Sequence, residues 1–228
     1  MKKLFILSVI VLFTVTGNTQ ETFFPTKVGT VLTYKSFDKK SKETGAVKYT
    51  INKVNVNGSN IDITYLCEAI DAKESLLYKE EITIHQKGDK LYMDMSNFIN
   101  KSAFQQEGEI PVEMEITGNN MEIPVNAQPG ATLPDASVTM TLKMGFVNMK
   151  MAADVTNRKV EAIDDITVAA GTFKCLKFSS DVSATVLGMN VKSKSVDWYA
   201  RGIGLIKTES YDKNAKIQST MELIDIKR

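Results

Sequence analysis

Residues 54–65 read VNVNGSNIDITY. Val54 and Val56 alternate with polar residues, Asn57-Gly58 accepts the positive φ angles of a hairpin turn, and Ile61, Ile63 and Tyr65 return along one face. Side chains two residues apart share a face only in an extended strand, so the stretch predicts a half-buried hairpin. The pattern recurs outward from it. Ile82 to Gln86 turns at Lys87-Gly88-Asp89-Lys90 into Leu91 to Met95, and Val112 to Ile116 turns at Gly118-Asn119-Asn120 into Met121 to Val125. Later turns are expected at Gly188-Met189-Asn190 and Asp212-Lys213-Asn214. The fold expected is all-β: a meander of about ten to thirteen strands forming a strongly curved antiparallel sheet or partly closed β-barrel. One short helix is expected over Ser96 to Gln106, SNFINKSAFQQ, where Ser96 can cap and Phe98, Ile99 and Phe104 lie on one side.

Pro124, Pro129 and Pro134, set around Gly130, mark a longer connection, because proline cannot donate into a sheet ladder. Residues 21–228 read as a single β-rich domain in which two related halves would meet near 124–134. INKVNVNGSNIDITYLCEA (51–69) and RKVEAIDDITVAAGTFKCLKF (158–178) each run strand, turn, strand with a cysteine at a similar place. Divergence of a common β-unit and chance account for this echo equally well.

The N-terminus, MKKLFILSVIVLFTVTGNTQ, sets two lysines before the apolar run Leu4 to Val15 and follows it with small and polar residues. This is the layout of a secretory signal peptide, expected over residues 1–20 and removed on export. A membrane span needs about 20 apolar residues, more than this run holds. The two cysteines, Cys67 and Cys175, lie far from the cleavage point, so no lipid-bearing cysteine is available there. The expectation is a soluble periplasmic or secreted protein, not a lipoprotein, with no transmembrane segment after cleavage. Lys and Arg number 28 against 27 Asp and Glu; losing Lys2 and Lys3 leaves a mature net charge of about −1. Lysines scattered among acids make no basic face, which argues against a nucleic-acid partner.

DWYARGIGLIKTESY, Asp197 to Tyr211, pairs two glycines in a way that suggests a phosphate loop. A dinucleotide fingerprint wants a third glycine where Lys207 stands, and phosphate loops open directly into a helix, whereas Leu205 to Tyr211 alternates like a strand. Gly202 and Gly204 are therefore read as a structural turn between strands. That stretch is also where the chain resembles a known family. WYARGIGLIK, ITVAAGTFKCLKF before it and Pro129 to Asp135 upstream are similar to signature stretches of the TapB family of secreted bacterial proteins, which carry a β-rich domain of unknown function of the 3108-like type. The resemblance runs from about Phe23 to the end. It implies a fold and an exported location, and brings no catalytic residue or cofactor.

Chemistry-bearing residues are sparse. His85 has no nucleophile at a recognisable spacing and reads as solvent-facing. One histidine and two distant cysteines form no metal-ligand cluster. Glu80-Glu81 and Asp164-Asp165 are adjacent carboxylates whose members point to opposite faces of a strand, leaving only a dyad across strands open. Cys67 and Cys175 either bridge, as export permits, or serve as small buried apolar groups. Eight of the eleven methionines lie between Met93 and Met151. Val138, Met140, Leu142, Met144 and Phe146 share one face of an alternating strand, followed by Met149 and Met151; the stripe is either a core face or the lining of an apolar cavity. The leading class is a non-catalytic exported protein that binds an apolar small molecule or an envelope component, with no cofactor. A carboxylate-based hydrolase and a structural subunit of a surface assembly are the alternatives.

Overall fold

The computed structural model describes residues 22–98, 112–144, 147–186 and 188–228. The expected leader lies outside the described residues, as do residues 99–106 of the expected helix; Met95–Phe98 forms one turn of 3-10 helix. The alternating runs become strands. β1 (Val31–Asp38), β2 (Glu43–Asn57), β3 (Asn60–Asp71), β4 (Leu76–Lys87) and β5 (Lys90–Asp94) come first. β6 (Val112–Gly118), β7 (Asn120–Pro124) and β8 (Ala136–Met144) follow. β9 (Val147–Val168), β10 (Gly171–Val186), β11 (Met189–Ala200), β12 (Gly204–Tyr211) and β13 (Ile217–Lys227) complete the chain. The hairpin of residues 54–65 is the β2–β3 connection, where Asn57 pairs with Asn60 and Gly58 takes a φ of +59°.

The thirteen strands form one antiparallel sheet in the order β6-β8-β9-β10-β11-β12-β13-β1-β2-β3-β4-β5-β7. Pairing of β13 with β1, Val31 opposite Lys227, joins the two ends of the chain inside the sheet. The sheet curls until it is nearly closed, with one unsealed seam. Its edges are β6 and β7, and this corrects the third expected hairpin. β6 pairs with β8 and β7 pairs with β5, so these two strands, consecutive in sequence, end the sheet on opposite sides. Alternation says that a segment is a strand but not which neighbour it takes. Here Asn119 is clamped to β8: its side chain accepts from the Ser137 amide at 2.6 Å and donates to the Asp135 carbonyl at 2.9 Å. The chain therefore crosses the seam at Asn119 instead of folding back.

Two main cores fill the sheet. Ile51, Ile61, Ile63, Ile84, Leu91 and Ile123 gather with Leu176 and Phe178 in one; Leu32, Tyr34, Val168, Cys175, Trp198, Ile206 and Leu223 gather in the other. β10 and β11 contribute to both. Leu176 belongs to the first core and Cys175 to the second, while Tyr199 packs on the first and its neighbours Trp198 and Ala200 on the second. Strands covered on both faces carry apolar residues at successive positions, as Cys175-Leu176 and Trp198-Tyr199-Ala200 do.

The N-terminal end of the described chain plugs the first core. Phe23 is fully buried, edge-on to Phe178 and Tyr199 with ring centroids 6.5 and 6.0 Å away. Phe24 stacks on Tyr65, which meets Tyr49, which meets Tyr34. The 201–203 turn holds this plug, since the Gly202 amide donates to the Thr22 carbonyl at 2.7 Å. Gly202 and Gly204 have φ of +72° and +100°, and a Cβ on Gly204 would sit 3.1 Å from the Phe24 ring. The proline-bearing connection lies along β9, where Gly130 donates to Val160, Val160 to Ala131 and Leu133 to Arg158. Proline's missing donors cost nothing there, because the intervening residues make the bonds.

Candidate functional site

The residues flagged by type lie in separate places. His85 is on the solvent side of β4, where the β3–β4 register sets it opposite Asp62, its Nδ1 2.6 Å from Asp62 Oδ1. The pairing follows from register and was missed in the sequence reading. Among the described residues no hydroxyl or thiol bonds this imidazole, so the pair lacks a nucleophile. The adjacent acids are engaged separately: Tyr78 donates to Glu80, Asn52 to Glu81 at 2.8 Å, and the Trp198 indole to Asp164 at 3.3 Å. Cys67 on β3 and Cys175 on β10 are free buried thiols, and these two strands are not neighbours in the sheet. Burial pushes them up to about 11 and about 12, which suppresses thiolate at neutral pH. Among the described residues no group of His, Cys, Asp and Glu can hold a metal ion.

The methionine stripe lies where β8 meets its neighbours. Met140 and Leu142 are buried at 0% and 1% exposure. They stand opposite Met151 and Met149, both half-buried, while Met144 pairs with Val147 at the end of the hairpin and Phe146 falls outside the described residues. Met140 and Leu142 line none of the cavities described below.

A small interior cavity of about 30 Å³ separates two charged groups. Arg158, buried, donates to the carbonyls of Pro134 at 2.6 Å and Glu122 at 2.9 Å. Across the cavity Asp197 accepts from Thr208 and from Ser195 at 3.1 Å. Enclosure raises the Asp197 pKa, opposed by those hydroxyls and by the Arg158 charge. Arg158 reaches the interior from an irregularity in β9 beside Asn157, whose φ is +52°. The space suits about one water, and the arrangement ties β9 to β7 and to the proline connection.

A groove of about 630 Å³ lies on β9 to β12. Register builds its floor. Thr156 pairs with Asp181, Asp181 with Lys194 and Lys194 with Tyr211, so four strands supply one row. Strand alternation adds Ser183 with Lys192 on one side of that row and Val196 on the other. Ala215 adds apolar surface, and the β12–β13 turn at Asp212 and Lys213 walls the end. The acids here are committed. Asn157 donates to Asp181 at 2.8 Å; the amides of Asn214 and Lys216 donate to Asp212 and hold its pKa low. Tyr211 donates to Glu209, which also pairs with Lys207. Among the described residues Lys192 and Lys194 make no ion pair. Three lysines against two aspartates leave the groove lining with a charge of +1.

A DUF3108-like family model matches residues 27–223, which takes in the 201–203 turn, most of both cores and the groove. The chain belongs to the DUF3108-like family. Two solved structures share the DUF3108-like sheet. A Bacteroides fragilis protein assigned as exported, with a YmcC-like fold, is 19% identical at a TM-score of 0.75, covering 91% of this chain and 100% of its own. A Parabacteroides distasonis protein assigned as a lipoprotein is 21% identical at a TM-score of 0.74, covering 91% of this chain and 99% of its own. At such identities the likeness shows the fold. Comparison with curated proteins finds no match. The resemblance read from the terminal motifs thus holds for the 3108-like group, and none of these matches carries the TapB name. Among the described residues no helix of this DUF3108-like chain is long and apolar enough to cross a membrane.

Proposed function

We propose that this chain is a non-catalytic exported protein, soluble after removal of its leader and without a lipid anchor, that binds an amphipathic anionic component of the envelope in the β9–β12 groove. The carrying observation is the combination, on one floor, of Val196 and Tyr211 with Lys192 and Lys194, two cations whose neighbouring acids are bonded elsewhere. An apolar wall with a few placed charges is the usual composition of a small-molecule site, and about 630 Å³ lies within the range of such sites. The lysines select an acid over a neutral guest, and the apolar residues add affinity that polar anions do not obtain. The leader-like N-terminus and the exported relatives support the location. This reading seats the expected guest in the β9–β12 groove instead of along the methionine strand.

The test is retention of a fluorescent fatty acid by the purified exported protein, against the matching fatty alcohol. Saturable binding of the acid, about tenfold weaker for the alcohol and for Lys194→Glu, is expected. Equal binding of both probes, or none of either, contradicts the proposal.

A further inference from the structure

The reverse face of the groove-bearing strands carries a second feature. Register aligns Ile116, Met140, Met151, Val186 and Met189 across β6, β8, β9, β10 and β11. The adjacent row runs Val138, Ala153, Ala184 and Val191. Both rows begin in the core and surface at the β10–β11 hairpin. Met140 and Val138 are 0% and 1% exposed, Met151, Ala153 and Ala184 are half-buried, and Met189 and Val191 reach 66% and 62%. The exposed apolar residues here continue a core face into solvent and are not scattered singly. One residue away on the opposite face stand Lys150 and Lys192, both exposed and, among the described residues, without ion pairs.

We propose that this hairpin end docks on a bilayer surface rich in anionic lipid, with Met189 and Val191 entering the headgroup boundary and Lys150 and Lys192 meeting the lipid charges. Apolar side chains flanked by lysines match such an interface, where long cationic side chains bury their stems and keep their charges at the headgroups. A second copy of the chain fits less well, because symmetric pairing brings like-charged lysines together. Docking also places the groove, on the other face of β10 and β11, beside the lipid headgroups, although it requires no occupied groove.

Vesicle co-sedimentation of the purified exported protein tests this, with phosphatidylcholine alone and mixed with phosphatidylglycerol. Binding to the mixed vesicles, weakened about tenfold in high salt, is expected. Val191→Asp and Lys150→Glu each reduce it severalfold, whereas Val56→Asp, equally exposed on β2, leaves it unchanged. Val191 is on the surface, and an unchanged circular dichroism spectrum checks that its variant folds. No sedimentation, equal binding to neutral vesicles, equal loss with Val56→Asp, or a dimer that Val191→Asp splits would each overturn the proposal. Neither Val191 nor Lys150 lines the groove, so failure here leaves the fatty-acid result standing, and the reverse holds too.

Discussion

β2 to β4 and β9 to β11 follow the same hairpin plan and use their faces differently. In β3 and β4 the division is clean: Ile61, Ile63, Ile82 and Ile84 fill the first core or its margin. Their other face carries pairs such as Thr64 with Thr83, Asp62 with His85 and Glu68 with Lys79. In β10 and β11 both faces are covered near Leu176 and Tyr199, and both are open at the far end, one as the groove and one as the apolar rows. The register shifts at Lys177/Phe178 and Ser179/Asp181 mark the transition. A strand pair with one core face and one wet face is scaffold. A pair that passes from enclosed to open presents the two surfaces on which the proposed binding rests.

The contrast is open to breakage, most strongly at Arg158. Arg158→Met should cost about 3 kcal/mol or more by denaturant unfolding, because two carbonyls lose their donor and Asp197 loses the opposing charge. An unchanged midpoint would show that the interior charges hold nothing together. Next in size is the plug-holding turn. Gly204→Val should cost about 1–3 kcal/mol, and more than Gly202→Val, since only Gly204 adds a close approach to Phe24. Equal losses would remove Phe24 from the explanation.

Asp197 sharpens the comparison through pH. Its pKa is raised in the folded protein, so the native state holds this proton more tightly than the unfolded chain does. Stability from this group is therefore present below the ordinary carboxylate value of 3.8 and falls as pH rises through the folded value. Asp38 and Asp212, each accepting from turn amides, are lowered and act oppositely, losing their contribution as pH falls. Asp197→Asn should gain on the wild type as pH rises across that acid window; parallel curves would deny the enclosure. The smallest effect belongs to the scaffold. Lys79→Met removes an exposed pair with Glu68 and should leave the midpoint within error. A clear loss there would make the β2–β4 surface more than a solvated face.

Legibility in the sequence divides along the same line. VNVNGSNIDITY declares a hairpin because one face is wet, and Asn57-Gly58 locates its turn. Gly202 and Gly204 were legible as turn residues from the strand that follows them, but what their turn holds was not, since Phe23 and Phe24 belong to no alternating run. The Asp62–His85 pair and the row from Thr156 to Tyr211 needed cross-strand register, which alternation within one strand does not contain. The seam was hidden for the same reason. β6 and β7 look like a hairpin until the pairing of β7 with β5 is known. The methionine stripe was visible as apolar; only the sheet shows that it runs from buried Met140 to exposed Met189.

The central claim, that the β9–β12 region is the binding end of the molecule, is tested most directly by native mass spectrometry of the protein taken from its own envelope. The account predicts a non-covalent adduct whose mass fits an amphipathic acid, present on the wild type and on Val56→Asp and lost from Lys194→Glu. A bare chain in every preparation, or an adduct that survives Lys194→Glu unchanged, would contradict it.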